Sequence, residues 1–434
     1  MPDYKVAVIG GGVLGTSIAY FLSAYARNPE LVALVEQEKN IAQHTSSRNT
    51  GKVHAPFLYD PVKKKTFAKA ATIGYDMWHR YSDYKQLIFK RDGVLEIAVD
   101  DKGINRLEEY MKWGEANGLS KEDLNLLDKE EVAKIEPNVH CISAIFCSKD
   151  GSVDYGALTL ALLRDIELFG CKLLLNQRAE RIFSHKDGYT IKMQNGQDVH
   201  AEYVINAAGG NSMDIAHTMG IALEYTDMHF RGEYWQAPSE YHDLTKHSVY
   251  SVPKHPEYPF LDPHWIVRAD GRREIGPNAV PVFGPYAYSW RKNLTDMLPK
   301  LIESSRTGAR KIAFDRQFLS LASSELKSSL SKTAMINRVK EFLPQIKPSA
   351  FTQRGTSGIR SSVIDKDGKF IPDTIVLEHD SSLHILNYNS PGATGALPMA
   401  ANIVTRVMKT GAIELSDKPR SLWDADTIAD RMKS

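Results

Sequence analysis

The sequence predicts an α/β + α+β fold, a Rossmann-like dinucleotide-binding domain with an antiparallel-sheet domain inserted into it. Three observations carry this. A short apolar run, Val6-Ala7-Val8-Ile9, breaks at Gly10-Gly11-Gly12-Val13-Leu14-Gly15, and a helical pattern follows through Ile18, Ala19, Phe21 and Leu22. A second apolar run, Leu31-Val32-Ala33-Leu34-Val35, ends on Glu36. Far downstream, Leu383-His384-Ile385-Leu386-Asn387 leads into Ser390-Pro391-Gly392-Ala393-Thr394-Gly395 and then a helical pattern from Ala396 to about Met408.

The first two observations form a strand–turn–helix–strand unit with Gly10-x-Gly12-x-x-Gly15 at its turn and an acid about twenty residues on. Gly10 allows the tight turn, Gly12 lets the backbone approach a pyrophosphate, and Gly15 lets helix and strand pack closely. The helix that starts near Val13 and Leu14 offers free N–H groups and a positive dipole end to phosphates. Glu36 can accept from ribose hydroxyls and would repel a 2′-phosphate, which disfavours NADP.

Composition narrows the class. At 434 residues, with 42% apolar and 25% charged residues, the chain reads as an ordinary soluble globular protein of two or three domains. A formal net charge of +1 gives no reason to expect nucleic acid as a partner. Cys141, Cys147 and Cys171 form no CxxC pair and no metal spacing, so no metal is expected and a reducing cytoplasm fits. The chain runs directly into its first strand, so no signal peptide is expected, and no apolar run approaches the ~20 residues of a membrane span.

Between the two glycine loops the pattern alternates. Residues 61–118 read as helices around the short strand Val94-Leu95-Glu96-Ile97-Ala98-Val99. A helix is expected over Tyr155–Phe169, then a strand at Lys172-Leu173-Leu174-Leu175. Two hairpin strands follow, Tyr189–Met193 and Val199-His200-Ala201, turning at Asn195-Gly196. Tyr203-Val204-Ile205-Asn206 then runs into Ala207-Ala208-Gly209-Gly210, where small residues at a strand's C-terminal end leave room for a cofactor backbone. Residues 221–290 alternate like strands. Residues 291–345 read as helical and basic, with nine Lys/Arg against four Asp/Glu from Arg291 to Lys332. That excess reads either as a solvated face or as peripheral contact with an anionic membrane. The expected organisation is a discontinuous cofactor domain (1–80, 145–215 and 346–434) and a substrate domain (81–144 and 216–345).

The second glycine loop decides the cofactor. One helix N-terminus suits a pyrophosphate; another suits a ring that acquires negative charge, such as a reduced isoalloxazine near its N1 and C2 carbonyl. A nicotinamide domain needs only the first, so FAD is expected.

At these residues the chain resembles the FAD-dependent oxidoreductases of the D-amino-acid oxidase type, and within that group it is similar to the L-2-hydroxyglutarate dehydrogenase/oxidase branch. The resemblance runs over nearly the whole chain. It is carried by His44-Thr45-Ser46-Ser47-Arg48-Asn49-Thr50-Gly51-Lys52-Val53-His54, Ile135-Glu136-Pro137, Gly151-Ser152-Val153-Asp154-Tyr155 and Phe230-Arg231-Gly232-Glu233-Tyr234. Pro259-Phe260-Leu261, Gly276-Pro277-Asn278-Ala279-Val280, Gly358-Ile359-Arg360 and the Ser390–Thr394 loop continue it. The resemblance implies that the chain passes along the flavin at Ser46, Ser47, Asn49 and Gly51, and that Ala208, Gly209, Gly392, Ala393, Thr394 and Gly395 also border the cofactor. It departs at Ser47-Arg48, where the family has Gly-His, at Ala55-Pro56, where it has Ala-Gly, and at Pro391-Gly392. Near His264 the family has Thr-Arg where Ile266 and Val267 stand here, so Arg268 is displaced by one residue. In a strand that step reverses the face of a side chain.

The implied reaction removes a hydride from a 2-hydroxy acid and a proton from its hydroxyl, with electrons passed to a quinone, another carrier or oxygen. A base with a pKa near working pH favours His. His54 and His264 are the candidates, with His264 preferred as base and His54 as a flavin or substrate contact. A dianionic substrate calls for Arg forks. Arg360 leads, because related oxidases place a carboxylate-binding Arg after the Gly-Ile step; Arg231, Arg268 and Arg354 follow, with Tyr234 as a donor. Malate:quinone oxidoreductase chemistry, oxidation of an amine such as sarcosine, a flavin-binding subunit without catalysis, and a NAD-dependent dehydrogenase remain as alternatives.

Overall fold

The structure is a computed structural model that describes residues 2–255, 258 and 262–433. Pro259-Phe260-Leu261, one of the stretches carrying the resemblance, lies outside the described residues.

The cofactor half is built on one mixed sheet. The strands Lys172–Leu174, Val32–Val35, Tyr4–Ile9 and Asp198–Asn206 lie side by side and parallel. Beyond Asp198–Asn206 the sheet divides. Its first half takes the antiparallel hairpin Gly188–Met193 and Ala179–His185, and its last three residues take Ser382–Leu386 in parallel. The expected strands Val199–Ala201 and Tyr203–Asn206 are therefore one continuous strand. It changes partners instead of breaking, because its inward residues stay buried along the whole length.

The turn after Tyr4–Ile9 has the geometry its glycines predict. Gly10 sits at φ +113°, where a side chain is strained, and a Cβ there would come within 2.4 Å of the Ala207 carbonyl oxygen. A Cβ on Gly15 would stand 1.9 Å from the Gly10 carbonyl oxygen, so only glycine lets the helix Val13–Tyr25 pack this closely on the strand. That helix is buried nearly all round, sandwiched between the sheet and the helices Tyr155–Phe169 and Ala396–Lys409.

The second sheet has eight strands in the order Gln353–Arg354, Trp235–Gln236, Arg273–Gly276, His264–Val267, Ser248–Ser251, Val94–Ala98, Ser143–Cys147, Leu124–Asp128. Every pair is antiparallel except Ser248–Ser251 on Val94–Ala98. That parallel pair departs from the expected all-antiparallel sheet. It sits at the centre, where Val94–Ala98 is covered on both faces, the setting parallel pairing needs. Because Ser143–Cys147 belongs wholly to this sheet, we propose that the domain boundary falls after Cys147.

A small third sheet couples the halves. Thr226–Gly232 lies between Val280–Val282 and Gly358–Ile364, setting Arg360 opposite Phe230 and Arg231 opposite Ile359. The basic segment forms the helices Trp290–Arg306, Ala309–Ala313, Arg316–Leu330 and Lys332–Lys340. Trp290, Leu294, Leu298 and Leu301 stand exposed in a stripe along the first of these. Among the described residues no helix is long and apolar enough to cross a membrane.

Candidate active site

A cleft opens at the C-terminal ends of Tyr4–Ile9 and Val32–Val35, where ligands bind in open α/β sheets. Gly10, Gly12, Glu36, Ser46, Ala208 and Gly209 all line it. A Cβ on Gly12 would meet only Ser46 Oγ, at 3.1 Å, and is otherwise open to the cleft. The Val13 N–H donates to Ser46 Oγ at 2.9 Å, which ties the helix start to the following loop. Glu36 holds the loop from below: Oε2 accepts from the Gly11 N–H at 2.6 Å and Oε1 from the Glu38 N–H at 2.9 Å. Each oxygen keeps a lone pair for a ribose hydroxyl. Burial raises the Glu36 pKa against these two N–H bonds, which lower it. The cradle of small residues, helix N-terminus and acid fits the dinucleotide end of FAD. Arg178 and Tyr286 also line the cleft; no spacing signal in the sequence points to either.

Ser47 and Asn49 act locally. Ser47 Oγ donates to the Ala42 carbonyl at 2.5 Å, and Asn49 closes a turn by accepting from the Gly51 N–H at 2.8 Å. Gly51 has φ +73°, and a Cβ there would meet the Val153 carbonyl oxygen at 2.5 Å.

The second glycine loop is fastened to the helix Lys65–Lys85 and to the His54 segment. Trp78 Nε1 donates to the carbonyls of Ala393 at 2.9 Å and Thr394 at 3.0 Å. Gly74 and Ala70 on that helix allow Thr394 and Gly395 to descend onto it. Thr394 Oγ1 accepts from the His54 N–H at 3.1 Å and lies 3.2 Å from the Tyr155 hydroxyl. Residues 340 apart in sequence thus meet where the resemblance implies a flavin ring. Gly395 stands at the N-terminus of Ala396–Lys409, which supplies the dipole end expected for such a ring.

His54 and His264 both come beside Tyr250. Ring centroids are 6.2 Å apart for His54–Tyr250 and 4.2 Å for Tyr250–His264. Their surroundings differ. His264 is buried, its Nδ1 has no hydrogen-bond partner, and its pKa is pushed down to about 3, chiefly by burial, with the charges of His54 and Arg360 adding to the effect. His54 Nδ1 also makes no hydrogen bond, but a carboxylate lies behind it, with Asp150 Oδ2 at 3.7 Å. Asp150 is fully buried, as is Lys52, whose Nζ lies 3.1 Å from Asp150 Oδ1 and 3.2 Å from Asp92 Oδ1. Nothing in the sequence marks this cluster, because it is assembled from three segments with no local pattern.

The arginines divide sharply. Arg231 pairs with Glu233 at 2.9 Å, donates to the Ala287 carbonyl and lies over Trp290. Arg268 is held by Glu274 at 2.5 Å and donates to the Asn49 carbonyl, so its one-residue displacement leaves it matched to a protein carboxylate. Arg354 is half exposed, stacks on Trp235 and lies 3.8 Å from Glu233. Arg360 alone of the four faces no carboxylate among the described residues. Burial holds its pKa below the usual value, and Tyr234 and Tyr59 are its near neighbours. The Tyr234 hydroxyl is pushed up to about 12, mainly by burial, and remains a donor at all ordinary pH.

A nucleotide cradle, a second helix start against the His54 segment, and a partly buried cation on the strand Gly358–Ile364 together define a flavin-dependent oxidoreductase. The chain belongs to the FAD dependent oxidoreductase family, whose sequence model matches residues 5–406, and FAD is its cofactor. Among curated proteins it is similar to the L-2-hydroxyglutarate dehydrogenase of Escherichia coli strain K12, 29% identical over 426 residues and 98% of each chain. It is similar also to the mitochondrial enzyme of that name from Bos taurus, 30% identical over 429 residues, 94% of this chain and 89% of the relative. Among solved structures, the dithionite-reduced L-alpha-glycerophosphate oxidase of Mycoplasma pneumoniae with FAD bound superposes at TM-score 0.75, with 21% identity and 98% of each chain covered. Glycine oxidase from Geobacillus kaustophilus superposes at 0.69, with 16% identity, 99% of this chain and 98% of that one. At these identities the two structures speak to the fold alone.

Proposed function

We propose that the protein oxidises an L-2-hydroxy dicarboxylate, L-2-hydroxyglutarate to 2-oxoglutarate. The observation that carries this is Arg360, a partly exposed guanidinium that pairs with no carboxylate among the described residues and lies within electrostatic reach of Tyr234, Tyr59 and His264. Such a group waits for an anion. The curated relatives over nearly the full length carry the name L-2-hydroxyglutarate dehydrogenase.

Bound FAD supplies the two-electron acceptor for the hydride on the α-carbon. Arg360 holds the α-carboxylate through its planar fork, and Tyr234 donates beside it. The base assignment expected from sequence is reversed in this reading. His264, with a pKa near 3, is neutral but a weak proton acceptor. His54 takes the hydroxyl proton instead, with the Asp150 carboxylate 3.7 Å from its Nδ1 to orient the ring. Tyr250 and His264 wall the site against water.

Anaerobic titration of the holoenzyme with L-2-hydroxyglutarate, L-malate and sarcosine tests the substrate. Bleaching of the visible flavin band by L-2-hydroxyglutarate supports the reading; bleaching by L-malate or sarcosine alone overturns it.

For the electron acceptor, we infer a quinone reached at a membrane surface. The exposed stripe Trp290, Leu294, Leu298 and Leu301 lies beside the exposed Arg291, with Lys292 next to it paired to Asp296, an apolar face with a cation at its edge that suits an anionic bilayer. Co-sedimentation with anionic but not neutral vesicles, lost in Leu294→Glu/Leu298→Glu, is the expected result.

A further inference from the structure

A five-carbon dicarboxylate brings two negative charges, and Arg360 can neutralise one. Arg231, Arg268 and Arg354 are each turned toward a protein carboxylate. Lys52 and Arg338 are likewise paired with acids, which leaves Lys64 to consider. Lys64 ends the stretch that runs from His54 through Tyr59 and stands at the N-terminus of the helix Lys65–Lys85. Its Nζ lies 5.9 Å from the centre of the Tyr59 ring, and Tyr59 is the same side chain that neighbours Arg360.

No carboxylate lies within ion-pairing distance of Lys64 among the described residues. The two acids nearest it in charge, Asp60 and Asp373, are engaged elsewhere. Asp60 Oδ1 accepts from the Val62 and Lys63 N–H groups at 2.8 and 3.0 Å. Asp373 caps the start of the helix, accepting from Thr66 N–H at 2.8 Å and Phe67 N–H at 3.2 Å. Burial and the Arg360 guanidinium both hold the Lys64 pKa below its usual value, despite these acids. Both cations are only partly exposed, and neither forms an ion pair with a carboxylate among the described residues, although Asp60 and Asp373 act on Lys64 from further off; an anion arriving between them would relieve their mutual repulsion.

We propose that Lys64 binds the second carboxylate of the substrate, the one distal to the reacting carbon, and so sets a preference for dicarboxylates over monocarboxylates. The proposal deepens the substrate reading above and rests on it. Arg360 fixes the reacting end and Lys64 the far end. A compact ammonium on a flexible stem suits the distal position, where charge matters more than the fixed bidentate orientation required at the α-carbon.

The test uses non-reacting ligands on the holoenzyme, so it does not depend on turnover. Glutarate and butyrate are titrated against the flavin absorbance of the protein and of Lys64→Met and Lys64→Arg. Glutarate is expected to bind the unaltered protein about 10- to 100-fold more tightly than butyrate. Lys64→Met should lose that preference while butyrate affinity changes less than about threefold, and Lys64→Arg should restore most of it. An unaltered protein that does not prefer glutarate, or a Lys64→Met variant that keeps the preference, overturns the proposal. A protein with the Lys64-dependent preference that never turns over L-2-hydroxyglutarate would instead sink the substrate reading.

Discussion

His54 Nδ1 stands 3.7 Å from Asp150 Oδ2, and Asp150 Oδ1 stands 3.1 Å from Lys52 Nζ, with Asp150 and Lys52 both fully buried. The carboxylate thus lies between an imidazole at the site and a cation behind it. Lys52 offsets the desolvation of Asp150, and the negative charge remains available to the imidazole. Asp150→Asn keeps the shape and removes the charge. It should lower kcat about 10- to 100-fold, with KM and FAD content little changed. A variant that retains full kcat would remove Asp150 from the mechanism.

Lys52 is the structural complement of that pair. Lys52→Met would leave Asp150 buried, and Asp92 partly buried, without their cation, and breaking a buried pair costs about 3–5 kcal/mol. Denaturant unfolding of the holoenzyme measures it. A loss below about 1 kcal/mol would mean that water, not Lys52, compensates these acids.

Arg360→Ala should raise KM and lower kcat/KM by about 10²–10⁴ for every carboxylate substrate, while the flavin spectrum and FAD content stay normal. Unchanged kinetics would rule out carboxylate binding there.

The two glycines of the nucleotide turn should fail differently. Gly12 faces the cleft, so Gly12→Val should fold and purify without colour. Gly15 faces the Gly10 carbonyl at a distance no Cβ tolerates. Gly15→Ala should cost about 1–3 kcal/mol of stability as well as flavin. A yellow, folded Gly12→Val would contradict the approach of a pyrophosphate at this residue.

His264 carries a pH signature. Its folded pKa of about 3 lies below the ordinary value of 6.5, so between those limits the unfolded chain binds the extra proton. Stability from a neutral His264 is therefore complete above pH 6.5 and declines as pH falls toward 3, by up to about 1.4 kcal/mol per pH unit. The stability difference between the unaltered protein and His264→Asn should narrow along that slope at pH 7, 6 and 5. A difference independent of pH would show that His264 is protonated in the folded state.

Much of the cofactor half was legible in the sequence because backbone geometry dictates residue type there. A tight turn at Gly10 and a helix packed against it at Gly15 admit glycine alone, and Glu36 follows at the end of the next strand. Fixed spacing records such requirements. The substrate half records far less. Val94–Ala98 finds its parallel neighbour in Ser248–Ser251, some 150 residues on, and no local pattern encodes that choice. The site cations show the same limit. Arg231, Arg268, Arg354 and Arg360 are equivalent as letters; only the folded positions of Glu233 and Glu274 set Arg360 apart. Asp150 and Lys64 stayed hidden because their importance lies in what surrounds them.

The strand Asp198–Asn206 takes Ser382–Leu386 as a neighbour, and the loop beyond Leu386 closes on Trp78 and His54. A growing chain on the ribosome can therefore form the first glycine turn early, yet it lacks one flank of its main sheet and the floor of the flavin pocket until roughly residue 409 has emerged. Cofactor capture is thus a late event in biogenesis. Any truncation or stalled synthesis short of that point yields a half-built nucleotide cradle with exposed apolar strands, a species for chaperones and proteases rather than a weak enzyme.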